Sequence, residues 1–279
     1  MYCLLRRFRE LGFIICLMAS ASISASNDPT FAGTFQQGGL VLGKIAKGQT
    51  VSYKGKLLKL TEQRQFLLGF GRTSPSMVEI TVHDDKHDDK IILFEVAKRD
   101  YAIQKIEGVP QKTVTPAQAD LNRIQKDALL VRKARSLISD ENDFTAGFIQ
   151  PATGPITGVY GSQRFYNGVP KNPHYGVDYA APTGTPVIAP AAGIITLVHD
   201  DMFYSGGTLI LDHGHGLSST FLHLSELLVK QGQRVKPGQV IAKIGASGRA
   251  TGSHLDWRMN WLDQRIDPQL VLKTLPATN

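Results

Sequence analysis

The chain has 279 residues, of which 42% are hydrophobic and 20% charged, with a formal charge of +7. That length allows two domains of ordinary size, each with its own core, and that apolar content excludes wholesale disorder. The basic balance favours anionic polymers such as cell-wall glycans or lipid head groups as partners, with a solvated basic surface as the plainer alternative.

At the start of the chain, Arg6, Arg7 and Arg9 precede an apolar stretch over 11–18, and small residues follow over 19–25. This is the order of regions in a secretory signal. The stretch is too short for a permanent span, which needs about 20 apolar residues. Residues 1–25 are therefore expected to be removed near Ala21 or Ala25, leaving no permanent membrane span; a retained anchor is the alternative. Cys3 and Cys16 both lie in this segment, so no disulfide is expected in the mature chain. Lipid attachment at Cys16 is disfavoured because Phe13, Ile14 and Ile15 are not the small residues such processing prefers. Loss of three arginines and Glu10 leaves a charge of +5.

Residues 30–112 read as a small antiparallel β domain. Runs such as "TVSYKGKLLKL", "MVEITVHD" and "KIILFEVAKRDY" alternate apolar and polar residues and are broken by turn residues. The stretch "HDDKHDDK" at 83–90 offers metal-binding side chains, but its place between two strand-like runs makes it a solvated hairpin tip. Residues 113–143 form an expected helical connector. Leu121, Ile124, Ala128, Val131 and Leu137 recur at helical intervals, and Pro116 suits a first turn. Residues 144–279 return to short strands such as "GIITLV", "GTLILDHG" and "QVIAKIG" separated by Gly- and Pro-rich turns. No phosphate-binding glycine loop precedes a helix, so nothing supports nucleotide binding, and no nucleic-acid partner is expected.

Six of the eight histidines lie beyond position 140. His174 and Asp178 occur in "PHYGVDYAAP", His223 in "FLHLSEL", and His254 with Asp256 in "SHLDW". Zinc chemistry needs imidazole and carboxylate donors converging from separate strands with one position left open. Residues two apart on a strand share a face, so His254 and Asp256 point together. His174 and Asp178, four apart, need an irregular segment, for which Gly176 is the candidate. His213 and His215 in "LDHGHGL" read as turn residues, and His199 as a strand end facing solvent. Trp257 and Trp261 read as core or groove wall.

The blocks "NPHYGVDYAAPTGTPVIAPAAGII", "GGTLILDHGHGLSSTFLHLSEL" and "VKPGQVIAKIGASGRATGSHLDWRM" resemble, in that order, the lysostaphin/LytM-type zinc metallopeptidases of peptidase family M23. The resemblance runs from about residue 148 to 268. It implies a mainly β chain whose C-terminal domain, 144–279, is an antiparallel β-sheet groove of the LytM type (duplicated hybrid motif). It also implies cleavage of peptide bonds in peptidoglycan. Residue by residue, His174 and Asp178 match the first two metal ligands and His223 a histidine that orients or stabilises the reacting groups. The family's final H-x-H places a catalytic histidine at His254 and a third ligand at 256, where this chain has Asp.

Carboxylate oxygen reaches zinc at about the same distance as imidazole nitrogen, roughly 2.0–2.2 Å, so Asp256 can serve as a ligand. A His/Asp/Asp set carries two negative charges, which predicts a less acidic bound water and a higher pH optimum. It also lessens the preference for Zn²⁺ over Mn²⁺ or another divalent ion. The implied mechanism is hydrolysis by metal-activated water, with His254 as general base and His223 donating to the developing oxyanion, or the two roles exchanged. Tyr204 is a candidate substrate contact. The implied protein is an exported, periplasmic metalloendopeptidase acting on peptidoglycan cross-links. The alternatives are a non-catalytic relative that binds peptidoglycan or activates an amidase, and, from "VKPGQVIAKIGASG", a lipoyl-type carrier.

Overall fold

The computed structural model describes residues 28–277; the expected export segment, with Cys3 and Cys16, lies outside the described residues. The chain is mainly β, in keeping with the expected fold class. Strands β1 (Thr30–Gly33), β2 (Leu40–Lys44) and β5 (Gln65–Gly69) form one antiparallel sheet. A second contains β3 (Gln49–Tyr53), β4 (Lys56–Leu57), β6 (Met77–Asp84) and β7 (His87–Glu95). Alternation sets the inner face: on β6, Val78, Ile80 and Val82 are buried while Met77 and Glu79 are exposed. Phe31 holds the two sheets together, edge-on to Phe66 at 6.2 Å and to Phe94 at 4.8 Å. The "HDDKHDDK" stretch is the β6–β7 hairpin turn, where His83 pairs with Asp89 and His87 with Asp84.

After these sheets the chain crosses to the C-terminal half. Strand β8 (Ile103–Ile106) pairs in parallel with β10 (Gln163–Tyr166), which also pairs with β11 (Val169–Pro170). A short helix α1 (Gln111–Val114) follows, then α2 (Gln118–Arg135). Helix α2 rests Val131 and Ala134 on Leu197, Met202 and Ile210, and the Asp127 carboxylate accepts from the Phe203 amide at 2.7 Å. No residue of α2 is buried. The predicted apolar stripe stops short of Leu137, which is exposed beyond the helix end; there Ser139 donates to Asp212 and turns the chain back onto the sheet.

The C-terminal strands are β9 (Ile156–Gly158), β12 (Gly176–Ala180), β13 (Pro186–Ile188), β14 (Gly193–Met202), β15 (Gly206–Asp212) and β16 (Leu217–Leu227). They continue with β17 (Arg234–Val235), β18 (Val240–Ile244), β19 (His254–Trp261) and β20 (Gln264–Ile266). The main path runs β17-β14-β15-β16-β19-β12-β9, with every neighbouring pair antiparallel. Strand β19 shows how one face is core while the other carries the candidate residues. Leu255, Trp257, Met259 and Trp261 are almost wholly inaccessible, and His254, Asp256 and Arg258 alternate with them.

The apolar core is continuous between the halves, joining Phe66 and Phe70 to Trp257 and Trp261. The Tyr53 ring lies 5.7 Å from that of Trp261, and Arg99 pairs with the nearly buried Asp267 at 2.8 Å. Asp267 also caps α3 (Pro268–Thr274) by accepting from the Gln269 amide, with Pro268 in the first turn. No helix among the described residues is long and apolar enough to cross a membrane.

Candidate metal centre

Three adjacent strands carry the candidate residues. In the β12–β19 ladder Asp178 stands opposite Asp256, and Ala180 opposite His254, so the two carboxylates meet on one face. His174 reaches them from the loop before β12. Its Nε2 is 3.1 Å from Asp178 Oδ1 and its Nδ1 is 3.9 Å from Asp256 Oδ2. Room for this approach is set by two glycines. A Cβ at Gly176 would fall 2.5 Å from Asp256 Oδ1, and one at Gly158, opposite Asp178, would overlap the Asp178 carboxylate. Gly176 is not in the left-handed region. Its role is thus close approach of the carboxylate rather than the turn expected from the His174–Asp178 spacing.

His223 needs a different device. Asp256 stands opposite Leu222 on β16, so strict alternation would send His223 to the far face. The backbone breaks that alternation. Leu222 and His223 together oppose Thr208 in a bulge, and His223 adopts φ +65°, a left-handed conformation that costs a β-strand residue on the order of 1 kcal/mol or more. The ring thereby lies 4.8 Å from that of His254.

His174, Asp178 and Asp256 are all buried, and one donor atom from each lies within 4.8 Å of the others. Among the described residues they are the one such metal-binding group. Both nitrogens of His174 and Oδ1 of Asp178 are buried without a hydrogen-bond partner; the 3.1 Å approach between His174 and Asp178 lacks hydrogen-bond geometry. Unpartnered buried polar atoms are costly, and a cation among them removes the cost. A separation of 3.1 Å also suits two donors sharing an ion at roughly 2.0–2.2 Å. The donor set therefore fits a divalent metal.

Each carboxylate has a guanidinium behind it. Arg164 Nη2 donates to Asp178 Oδ2 at 2.5 Å, and Arg258 grips Asp256 through Nε at 3.0 Å to Oδ1 and Nη2 at 2.6 Å to Oδ2. Burial pushes the Asp256 carboxyl up, but Arg258 and His174 outweigh it and hold the group well below the usual carboxylate range. For Asp178, burial and the Asp256 charge push upward, and His174 and Arg164 bring the net shift downward. Both acids are thus anionic at neutral pH, and each keeps one oxygen with a lone pair to spare: Asp178 Oδ1 has no hydrogen-bond partner, and Asp256 Oδ1 takes a single bond from Arg258, whose other two bonds fall on Oδ2.

The two histidines beside them share a tautomer. His223 Nδ1 lies 2.7 Å from the Ser247 carbonyl and His254 Nδ1 2.9 Å from the Gly252 carbonyl, so each Nδ1 carries the proton and each Nε2 presents a lone pair. His254 Nε2 is 4.0 Å from Asp178 Oδ1. Burial, with the neighbouring His254, pushes His223 down to about 4, so at neutral pH it accepts hydrogen bonds at Nε2. Acting as an oxyanion donor would require a proton at Nε2.

Other residues sort themselves by what they touch. His213, wholly buried, is satisfied by the Ala192 carbonyl and the Ser219 hydroxyl, and with His215 it lies in the β15–β16 turn. Tyr204 packs its ring 4.5 Å from the Arg249 guanidinium. Arg249 itself walls two cavities. One, of about 460 Å³, includes Asp178, His254 and residues 104–106 of β8. The other, of about 160 Å³, lies beside His174. The arginines are the residues missed from sequence. Arg258 was legible, since period two places it on the face of His254 and Asp256; Arg164 and Arg249 reach the site only through the fold.

Residues 172–268 match the family model of Peptidase family M23. Peptidoglycan DD-endopeptidase ShyA of Vibrio cholerae is 40% identical over 87 residues, which are 31% of this chain and 20% of that protein. DD-carboxypeptidase/endopeptidase Mpg of Neisseria meningitidis is 39% identical over 103 residues, 37% of this chain and 24% of that protein. The chain thus spans about a fifth to a quarter of the length of these relatives. A crystal structure of a peptidase M23 from Pseudomonas aeruginosa superposes with a TM-score of 0.68 at 29% identity, covering 88% of this chain and 97% of that one.

Proposed function

We propose that this chain, whose residues 172–268 match peptidase family M23, is an exported, periplasmic metalloendopeptidase that cuts peptide cross-links of peptidoglycan. The observation that carries the reading is the buried His174/Asp178/Asp256 group with unpartnered donor atoms, set beside two imidazoles whose Nε2 lone pairs are free. In this reading His174, Asp178 and Asp256 hold one divalent ion, Zn²⁺ as in the resembling family, with Mn²⁺ or another divalent ion as the alternative that an oxygen-rich set allows. Residues 144–279 form the catalytic unit, residues 113–143 the connector, and the β domain of 30–112 limits access through the β8 segment that walls the cleft.

A bound divalent ion would acidify a water and polarise the scissile carbonyl. The chain's own groups do the rest. His254, partly exposed to the cleft, takes the nucleophile's proton at Nε2 and returns it to the leaving amine. His223, kept neutral by burial, orients the nucleophile by accepting a hydrogen bond. Arg164 and Arg258 fix the two carboxylates and cancel their two negative charges. The electrophilicity that a His/Asp/Asp set would forfeit is thereby restored, which removes the reason for a raised pH optimum.

A second reading rests on Arg258, whose hydrogen bonds engage both oxygens of Asp256. If that grip shuts out the ion, the domain binds peptidoglycan or activates an amidase without cutting. Digestion of isolated sacculi by the protein lacking residues 1–25, with and without chelator, separates the two. Muropeptide dimers converted to monomers by a chelator-sensitive activity support the peptidase. A folded, metal-free protein that releases no peptide contradicts it.

A further inference from the structure

Four guanidinium groups, those of Arg164, Arg249, Arg258 and Arg265, line the cavity of about 160 Å³ beside His174. We propose that this cavity is a subsite for a free carboxylate of the substrate peptide, carried on a residue next to the bond that is cut. The inference rests on the peptidase reading and adds to it the group by which the substrate is chosen.

Charge carries the argument first. Arg164 and Arg258 are balanced by Asp178 and Asp256. Arg249 and Arg265 have no carboxylate within 4.0 Å among the described residues, so the cavity walls keep two uncompensated positive charges. They are held there at a cost: burial and the neighbouring Arg258 push Arg265 down to about 10. Arg164 Nε is also buried with no hydrogen-bond partner. An anion offsets both penalties.

Geometry narrows the anion. Arg249 packs against the rings of Tyr166 and Tyr204, at 4.7 and 4.5 Å, and donates to the Thr113 carbonyl, contacts that restrict its planar fork before a ligand arrives. Arg265 lies 5.7 Å from the Tyr175 ring and donates to Asn260 Oδ1 at 3.3 Å. A cavity of about 160 Å³ is smaller than the roughly 300–1,000 Å³ that takes a whole small molecule, so it suits a single group at the end of a longer ligand. It shares Arg164, Tyr166 and Arg249 with the cleft that contains Asp178 and His254. A peptide lying at His254 can therefore extend a carboxylate into it. Tyr204, in this arrangement, is a positioning residue that acts through Arg249.

The test compares zinc-loaded protein binding N-acetyl-D-alanyl-D-alanine with its C-terminal amide by calorimetry. Charge-assisted pairing predicts that the acid binds at least about 10-fold tighter. That preference should vanish in Arg249→Gln and Arg265→Gln and return in part in Arg265→Lys, which keeps the charge. A preference that survives both glutamine variants comes from the metal alone and overturns the proposal, as does equal binding of acid and amide by the wild type. Tighter binding of inorganic phosphate than of the peptide acid also overturns it. Sacculus digestion run on the same protein keeps the two readings apart: cleavage without carboxylate preference sinks the subsite only, and absence of cleavage sinks the peptidase.

Discussion

His213 and His223 lie ten residues apart, both buried, and burial pushes both down to about 4. His213 spends both ring nitrogens on the Ala192 carbonyl and the Ser219 hydroxyl, in a turn that also receives the Trp257 indole through Ser219. His223 spends one nitrogen on the Ser247 carbonyl and turns the other toward His254 and the carboxylates, on a backbone bent into the left-handed region to do so. Burial and a displaced pKa are common to both. What separates His223 from the structural His213 is unspent hydrogen-bonding capacity next to other unspent groups, together with backbone strain that packing alone does not require, and the proposed catalytic role rests on that difference.

The sharpest way to break this contrast is kinetic. His254→Ala should slow sacculus hydrolysis by about 100- to 10,000-fold with the melting temperature unchanged, the range for loss of a general base; turnover near the wild-type rate would remove the imidazole pair from the chemistry. Next in size is Asp256→Asn, which leaves Arg258 without its charged partner and should cost about 3–5 kcal/mol of stability in metal-free protein, measured by urea unfolding. His213→Ala should cost roughly 1–3 kcal/mol by orphaning the Ser219 and Ala192 groups, with kcat retained below the melting temperature. An unchanged stability would contradict the structural role given to it.

The smallest effect is a slope. For both histidines the folded pKa of about 4 lies below the ordinary 6.5, so over that interval the unfolded chain binds more protons than the folded one. Stability should therefore fall as pH drops from about 6.5 toward 4, and the fall should be shallower in His213→Ala. Asp178 and Asp256, lowered from 3.8, add stability that is lost only below the usual carboxylate range. A slope of the opposite sign would mean that these rings gain protons on folding.

Much of this is legible in the sequence. Alternation on "HLDWRMNW" places Trp257 and Trp261 inward and His254 and Asp256 outward, because a strand has period two, and the order of the motif blocks marks the β-sheet groove. Three things were not legible. The bulge at His223 reverses the face that alternation assigns, and nothing in "FLHLSEL" announces a left-handed residue. The arginine ring draws Arg164, Arg249 and Arg265 from three distant segments, so no local pattern contains it. The role of Gly176 depends on Asp256 across the ladder, which is why its freedom to turn was the wrong property to weigh.

Zinc titration of the metal-depleted protein, followed by calorimetry, tests the central claim most directly. One equivalent should bind per chain, binding should be lost in Asp178→Asn and Asp256→Asn variants that remain folded, and it should be kept in the double variant Asp256→His/Arg258→Gln, which supplies an imidazole and removes the unpaired guanidinium. Zinc binding that is absent in the wild type, or indifferent to Asp256, would contradict the assignment of His174, Asp178 and Asp256 as the ligands of one ion.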